Sequence, residues 1–292
     1  MASDPFPFAS VGVVGLGLLG GSVLKAVKAV SPGTRTIGIV RDEKSVAALG
    51  DLHFVDECST DPQQLRNVDV VVIATPVDAI ARWAETLADI VGAKAFITDV
   101  GSTKAGIVED CESMESLAGR LVPAHPIAGS EKSGAIHADA NLFRGRLTLL
   151  TPMQKSVTEV VQRCHLFWQG LGARTMETTA EIHDRELAAI SHVPHLLSSL
   201  IALLPQSDSL PWAGTGWRDM TRLAAGDPDV WTAIVSENKD AIRQSIQDVQ
   251  SHLETLQGWI DRQDWESLGD WLARARDRKA STIRGNDKAG KE

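Results

Sequence analysis

A histidine flanked by prolines and glycines is the residue of this sequence best suited to chemistry. His125 lies in the segment PAHPIAGSEKSG, residues 123–134, which follows a short apolar run and includes Glu131. A histidine on such a loop is a poor candidate for a core residue. Because the charge of histidine changes near neutral pH, its type and position favour an acid–base group.

Two other polar segments contain candidate ligands for a small anion. The segment DVGSTK, residues 99–104, includes Ser102, and the segment GTGWRDMTR, residues 214–222, includes Arg218 and Arg222. An arginine in a glycine-containing segment can bind a carboxylate through two parallel hydrogen bonds. The alternative for either arginine alone is a surface ion pair with Asp219 or Asp227.

A pair of histidines, His192 and His195, lies in the motif SHVPH at 191–195. Residues three apart share a helix face if the helix continues through Pro194. A metal site would need a third ligand at suitable spacing, and the sequence offers none that is evident. We therefore predict no metal.

The glycine-rich motif GLGLLG at 15–20 predicts a dinucleotide site, because it follows a β-branched run and opens a helical pattern. Gly15 allows the tight turn, Gly17 lets the backbone approach a pyrophosphate, and Gly20 lets the helix pack on the strand. The helix start at Leu18 and Leu19 offers free N–H groups to the phosphates. The alternative is a strand–helix connection with packing glycines and no ligand.

The end of the second predicted strand bears on the choice of cofactor. Val40 occupies the position where NAD-selective folds usually carry an acidic residue, and Arg41 follows it. An arginine there favours the 2′-phosphate of NADP. In the alternative, Asp42 binds the ribose of NAD and Arg41 is solvated.

Strand-like and helical patterns alternate through the first half of the chain. The apolar runs at 11–14, 36–40, 70–74 and 95–100 predict strands, and that at 70–74 has the unbroken pattern of a strand buried on both faces. The carboxyl ends of such strands place Ser102, and the pair Thr75 and Pro76, at the ligand-binding edge. This half predicts an α/β fold with a Rossmann-type, doubly wound parallel sheet.

Long helical patterns replace the strands after Thr151 and Pro152, at 156–171, 180–204, 229–262 and 265–276. We therefore predict a dinucleotide-binding domain over 1–152, an all-α domain over 153–284, and a disordered tail over 285–292.

Composition narrows the function class. The 292 residues include 43% hydrophobic and 23% charged residues, which fits a globular protein with a sizeable core. The formal net charge of -9 disfavours nucleic-acid binding. Three scattered cysteines and the absence of a signal-peptide pattern or a membrane-spanning run near the start favour a cytoplasmic protein.

Together the motifs resemble one family, the prephenate and arogenate dehydrogenases of tyrosine biosynthesis. The resemblance covers nearly the whole chain and keeps five motifs in order, namely GLGLLGGS at 15–22, DVGSTK at 99–104, HPIAGSE at 125–131, SHVPH at 191–195, and RDMTR at 218–222 followed by DPDVW. It implies a homodimer formed through the helical domain and a nicotinamide cofactor, which we expect to be NADP with NAD as the alternative.

The resemblance also implies roles for single residues. His125 matches the catalytic histidine, which accepts a hydrogen bond from the substrate's ring hydroxyl, and Ser102 matches a serine that bonds the same hydroxyl. Arg222 matches the arginine that binds the ring carboxylate. Residues that shape or gate the substrate pocket are matched by Glu131, His195, Asp219 and Trp231.

Prephenate and arogenate differ in a keto against an amino group, and donors from His195 and Arg218 would favour the keto acid. Oxidative decarboxylation of prephenate is therefore the predicted reaction, with arogenate as the alternative. A dehydrogenase acting on a hydroxy acid would typically use a lysine, and no comparable lysine motif stands out. A non-enzymatic NADP sensor would not need Ser102, His125 and Arg222 together.

Overall fold

The computed structural model describes residues 6–49, 52–117, 119–129 and 134–289. Its larger sheet is parallel, with the order β3-β2-β1-β4-β5-β6. The strands are β1 (Ser10–Val14), β2 (Arg35–Ile39), β3 (Glu57–Ser59), β4 (Val70–Ile73), β5 (Phe96–Asp99) and β6 (Leu121–Val122). Because β1 lies between β2 and β4, the strand order reverses beside it, and ligands of such sheets bind at that point. The predicted doubly wound parallel sheet is confirmed.

Both faces of the sheet are buried, which explains the unbroken apolar runs. Val11, Val13 and Phe96 belong to one core cluster, and Val14 and Ile73 belong to the other. The helices of this part of the chain are α1 (Leu18–Val30), α2 (Glu43–Leu49), α3 (Ile80–Ala88) and α4 (Ala105–Glu112).

A smaller sheet follows, made of β7 (Ala124–Pro126), β8 (Leu147–Leu150) and β9 (Arg174–Glu177), with α5 (Thr158–Gly170) before β9. The prediction that the chain is all helical after residue 152 is therefore wrong for β9, which pairs in parallel with β8. The amphipathic pattern of α5 had suggested the start of the helical domain. Its buried residues, including Phe167, instead pack in the same cluster as Phe96, so the helical part begins after β9.

The helical part continues as α6 (Ala180–Leu187), a π-helical turn (Ala188–His192), α7 (Val193–Leu203), α8 (Thr215–Thr221) and α9 (Pro228–Glu237). The helix does continue through Pro194, which lies in the first turn of α7, where its missing N–H costs little. By length and composition alone the segment Ala180–Leu203 is apolar enough to cross a membrane, a test that core helices of globular proteins also pass.

The described residues from 240 onward form a second compact unit. It contains most of α10 (Lys239–Asp261) and all of α11 (Trp265–Ala289), which are joined by a turn with Gln263 at φ 56°. The rings of Trp259 and Trp271 are 6.5 Å apart across this hairpin. α11 continues to Ala289, so residues 285–289 of the predicted disordered tail are helical, because each residue added to an existing helix gains a backbone hydrogen bond. Residues 290–292 lie outside the described residues.

Candidate active site

The glycine turn between β1 and α1 has the backbone geometry of a phosphate-binding turn. Gly15 has φ +91°, and a Cβ at this position would lie 2.6 Å from the carbonyl oxygen of Ala74. A Cβ at Gly20 would lie 2.9 Å from the Cγ1 of Val13, so a side chain there would push α1 away from β1. Gly17 is the N-cap of α1, and the space where its Cβ would stand is open. This opening leaves room for a pyrophosphate against the free N–H groups of α1.

A cleft of ≈ 390 Å³ opens at this edge of the sheet. It brings together several of the residues predicted for the site, which are Gly17, Leu18, Leu19, Thr75, Pro76, Ser102 and Trp231. The remaining lining includes Val100, Gly226, Asp227, Val230 and Ile234. Because β1, β4 and β5 all end here and α9 supplies the opposite wall, the cleft can hold a nicotinamide nucleotide next to a small substrate.

Ser102 is positioned by a buried carboxylate. The Asp99 Oδ2 accepts the N–H of Gly101 at 2.8 Å and also bonds the ammonium of Lys104. Its Oδ1 accepts the N–H of Ala124 at 2.9 Å, next to His125 on β7. A single side chain thus ties the Ser102 loop to the strand that carries His125.

His125 is partly exposed and its ring meets a second histidine. Its Nδ1 lies 2.9 Å from the Nε2 of His183 on α6. Burial lowers the pKa of His125 well below its usual value, and the nearby His183, Lys104 and His192 lower it further. The imidazole is therefore neutral at physiological pH and can accept a proton, as a general base must.

Two aromatic rings stack beside the cleft. The ring centroids of His195 and Trp231 are 3.5 Å apart with an interplanar angle of 12°. A Cβ at Gly226 would lie 2.5 Å from the Nε1 of Trp231 and 2.7 Å from the Cε1 of His195, so glycine is required behind the stack. Burial lowers the pKa of His195. This stack fixes the indole that lines the cleft.

Other predicted residues lie away from the cleft. Arg222 and Asp219, at the end of α8, are exposed and are not among the described residues that line it. Arg41 is also exposed, and its Nε donates to the Oδ2 of Asp42 at 3.0 Å. Glu131 falls outside the described residues. Among the described residues, there is no cluster of three or more His, Cys, Asp or Glu side chains suited to a metal ion.

Some site residues had no role assigned from the sequence. Asp99 stood inside a recognised motif, but only the fold shows that its two oxygens join separate segments. His183, Asp184 and Asn238 come from two helices, and the adjacent His–Asp pair at 183–184 was the one signal available in the sequence. Gly226 gave no signal, because its role depends on two rings that meet only in the fold.

The doubly wound sheet, the glycine turn and the cleft that holds Ser102 define a pyridine-nucleotide-dependent oxidoreductase. Residues 23–177 match the family model described as the nucleotide-binding domain of prephenate dehydrogenase, and residues 179–274 match the model of its dimerization domain. The chain therefore belongs to the prephenate dehydrogenase family. The two models meet near residue 178, just after β9 and not at 152.

Individual relatives agree with the family. A prephenate dehydrogenase of Bacillus subtilis is 34% identical over 273 residues, covering 91% of this chain and 74% of the relative. The crystal structure of prephenate dehydrogenase from A. aeolicus with hydroxyphenyl propionate and NAD+ is similar with a TM-score of 0.87 at 28% identity, covering 94% of this chain and 98% of that one. A Synechocystis arogenate dehydrogenase has a TM-score of 0.81 at 28% identity, covering 94% and 99%.

Proposed function

We propose that this chain catalyses the oxidative decarboxylation of prephenate to 4-hydroxyphenylpyruvate with a nicotinamide cofactor. The observation that carries the proposal is the link through Asp99 between the Ser102 loop and the strand of His125. This link supports a role for His125 as a neutral base and for Ser102 as a hydroxyl donor beside the cofactor cleft of a dinucleotide fold. The Bacillus subtilis relative, which carries the name prephenate dehydrogenase, supports the assignment.

The chemistry asks little of the protein beyond orientation and one proton transfer. The hydroxyl proton of the substrate passes to His125, and the O–H electron pair becomes the second bond of a carbonyl as hydride leaves the same carbon. The bound nicotinamide supplies the hydride acceptor. Loss of carbon dioxide sends an electron pair back to the ring oxygen, which takes up a proton again. A positioned base of this kind contributes on the order of 100- to 10,000-fold in rate.

Other side chains hold the substrate. Ser102 is the hydroxyl donor to the ring oxygen, and Trp231 is an apolar wall held in place by its stack with His195. Arg222 is the cation for the ring carboxylate, and its exposure at the end of α8 leaves its donors accessible. Asp219 and Glu131 are proposed to shape the pocket because they match family motif positions, although Asp219 does not line the cleft and Glu131 falls outside the described residues.

For the cofactor we propose NADP, with NAD as the alternative. Arg41 follows β2 with an exposed guanidinium, which suits a 2′-phosphate. Asp42 supports NAD, because a carboxylate there can bind the ribose hydroxyls, and the A. aeolicus relative was crystallised with NAD+. The turn at Gly15, Gly17 and Gly20 serves both cofactors equally.

We also propose a homodimer formed through the helical part, since residues 179–274 match a dimerization domain. Exposed apolar side chains lie along α7 and on to the end of α8, at Leu200, Leu203, Leu204, Leu210, Trp212 and Met220. Burying them against a second copy removes them from water. Sedimentation velocity should give a dimer for the parent chain and a smaller species for Leu203→Glu. A monomeric parent would refute the proposal.

We also propose a cytoplasmic location, because three free cysteines fit a reducing compartment.

The direct test is steady-state turnover of prephenate and of arogenate, each with NAD and with NADP. We expect turnover of prephenate to exceed that of arogenate. A strong preference for arogenate would transfer the assignment to that substrate, an alternative that the Synechocystis relative supports. If the chain turns over neither substrate, the proposed function is overturned. The variant His125→Asn should keep substrate affinity and lose about 100-fold or more of kcat. Arg144→Ala, a surface change on the loop before β8, is the control.

A further inference from the structure

The ring of His125 is one end of a chain of three side chains that leads into the protein. The His125 Nδ1 is 2.9 Å from the His183 Nε2, and the His183 Nδ1 is 2.7 Å from the Asp184 Oδ1. His183 and Asp184 are both buried. The chain therefore runs from the candidate base to a carboxylate shielded from water.

The carboxylate determines the direction of every hydrogen bond in the chain. Because an ionised carboxylate only accepts, the His183 Nδ1 must carry a proton and donate it to Asp184. A neutral His183 then has its lone pair on Nε2 and accepts from the Nδ1–H of His125. The proton of neutral His125 is therefore on Nδ1, and its Nε2 has the free lone pair.

Asp184 is itself held as an acceptor. Its Oδ1 and Oδ2 accept the backbone N–H groups of Lys104 and Ala105, both at 2.8 Å, at the start of α4. The side-chain amide of Asn238, the C-cap of α9, donates to the Asp184 carbonyl oxygen at 2.8 Å. The two backbone N–H groups hold the carboxylate as an acceptor, and the three bonds together fix α6 beside α4, so the direction of the chain is built into the fold.

We propose that His183 and Asp184 are positioning residues that fix His125 in the Nδ1–H form, so that its Nε2 accepts the hydroxyl proton of the substrate. This proposal rests on the proposed function for the identity of the substrate only. When His125 becomes a cation, its Nδ1–H stays bonded to His183, and the Asp184 carboxylate lies one ring further on. The proton is thus held at Nε2 and available to return to the ring oxygen.

Ionisable groups from three elements surround His125. Lys104 at the start of α4, His192 at the end of the π-helical turn and His183 on α6 all lower the pKa of His125, in addition to burial. Nearby positive charge would oppose protonation of the base. The Asp184 carboxylate offsets this for the cation that forms in the reaction, so the chain can supply selective stabilisation to the charged state.

The test begins with the tautomer, which requires no turnover. Two-bond nitrogen–proton NMR spectra of the parent chain at neutral pH distinguish Nδ1–H from Nε2–H imidazole, and the His125 signals are assigned by their loss in His125→Asn. We expect the Nδ1–H pattern for His125. An Nε2–H pattern would overturn the proposal, whatever the activity of the chain.

Two substitutions at His183 separate the contacts. His183→Gln places an amide near the former Nε2 and keeps an acceptor for His125, whereas His183→Asn places it near the former Nδ1 and removes that acceptor. For His183→Asn we expect loss of the Nδ1–H pattern and a kcat lower by roughly 10- to 100-fold, with KM little changed. His183→Gln should recover most of the Nδ1–H pattern and most of the kcat of the parent.

The control is His165→Gln, because the nitrogens of that ring bond Thr175 and Glu177 and belong to a separate set of hydrogen bonds. It should leave the His125 signals and kcat unchanged. Equal kcat values in His183→Asn and the parent would also refute the proposal. If His183→Asn fails to fold, the parent spectrum and His183→Gln still decide. A parent protein with the Nδ1–H pattern but no turnover of prephenate would refute the proposed function. It would still support the hydrogen-bonded chain of His125, His183 and Asp184.

Discussion

Asp99 and Lys104 form an ion pair whose two side chains have no exposed surface. Burial lowers the pKa of Lys104, and the charge and hydrogen bond of Asp99 oppose that shift. The pair lies against the backbone of Gly101, next to Ser102, where a Cβ would stand 2.9 Å from the Asp99 Oδ2 and 3.1 Å from the Lys104 Nζ. Because the remaining bonds of Asp99 go to Gly101 and Ala124, the pair fixes the separation of the Ser102 loop from the His125 strand.

Removing the cation of this pair should destabilise the fold. In Lys104→Met the Asp99 carboxylate stays buried without its partner, which typically costs about 3–5 kcal/mol. Urea unfolding of the parent and the variant measures the loss. The double variant Asp99→Asn/Lys104→Met should recover part of it, since no charge is then left unpaired. A single variant as stable as the parent would contradict the assigned pair.

Arg222→Ala should act on substrate binding more than on turnover. A charge-assisted hydrogen bond contributes about 1.5–3 kcal/mol, so we expect KM for prephenate to rise roughly 10- to 100-fold with a smaller change in kcat. Arg218→Ala, on α8 just before Arg222, is the comparison. If that variant raises KM while Arg222→Ala does not, the carboxylate site belongs to Arg218.

Substitutions at Arg41 and Asp42, which follow β2, should change the preference between NADP and NAD. Arg41→Ala should raise KM for NADP at least about 10-fold and leave KM for NAD nearly unchanged, because only NADP carries the 2′-phosphate. If the Asp42 carboxylate binds the ribose of NAD, Asp42→Ala should instead raise KM for NAD and leave KM for NADP nearly unchanged. Hydrogen bonds from Ser45 and then Arg41 lower the pKa of Asp42, so its carboxylate is charged under assay conditions. A parent that strongly prefers NAD and an unaffected Arg41→Ala would rule out the phosphate role.

Stability should fall as the pH is lowered below neutral, and His192 should account for part of the fall. Burial lowers the pKa of His192 to about 4, and the amide of Asn238 donates to its Nδ1 at 3.1 Å, which requires the neutral ring. The unfolded chain binds this proton near pH 6.5 and the folded chain only near 4, so stability is lost between these values, by on the order of 3 kcal/mol.

Urea unfolding at several pH values between 4 and 7.5 measures this slope. His192→Asn keeps an acceptor near the former Nδ1 and does not titrate, so its slope should be shallower than that of the parent. His252→Asn, at an exposed position on α10, is the control and should keep the parent slope. Parallel curves for His192→Asn and the parent would show that His192 plays no part.

The sheet was predictable because its strands are apolar on both faces, as in the run at 70–74. The strands β3 and β6 were not, since two or three residues carry too little pattern, and neither were β8 and β9. β9 also has exposed side chains at Arg174 and Glu177, and its strand form depends on pairing with β8. Such tertiary pairing leaves little signal in local sequence.

Residue type and neighbours identify candidates for the site, as for Gly15, Ser102 and His125, and the roles of Ser102 and His125 stay predictions. Long-range partners were not predictable, because His183 meets His125 only after α6 packs against α4. Arg222 shows the opposite case, in which a recognised motif residue is exposed and outside the lining of the cleft. Sequence motifs thus name candidates, whereas burial and hydrogen bonds show which ones act together.

Because of the π-helical turn at Ala188–His192, the number of residues between His183 and His195 determines which way the His195 ring faces. Each residue of an α-helix advances by about 100°, and a π turn holds an additional residue. Deleting one codon in this turn would leave α6 and α7 helical, yet rotate His195 away from Trp231. Reading-frame-preserving deletions here should therefore be rejected by selection even when the encoded residue contacts nothing, whereas substitutions at the exposed Ile190 should be tolerated.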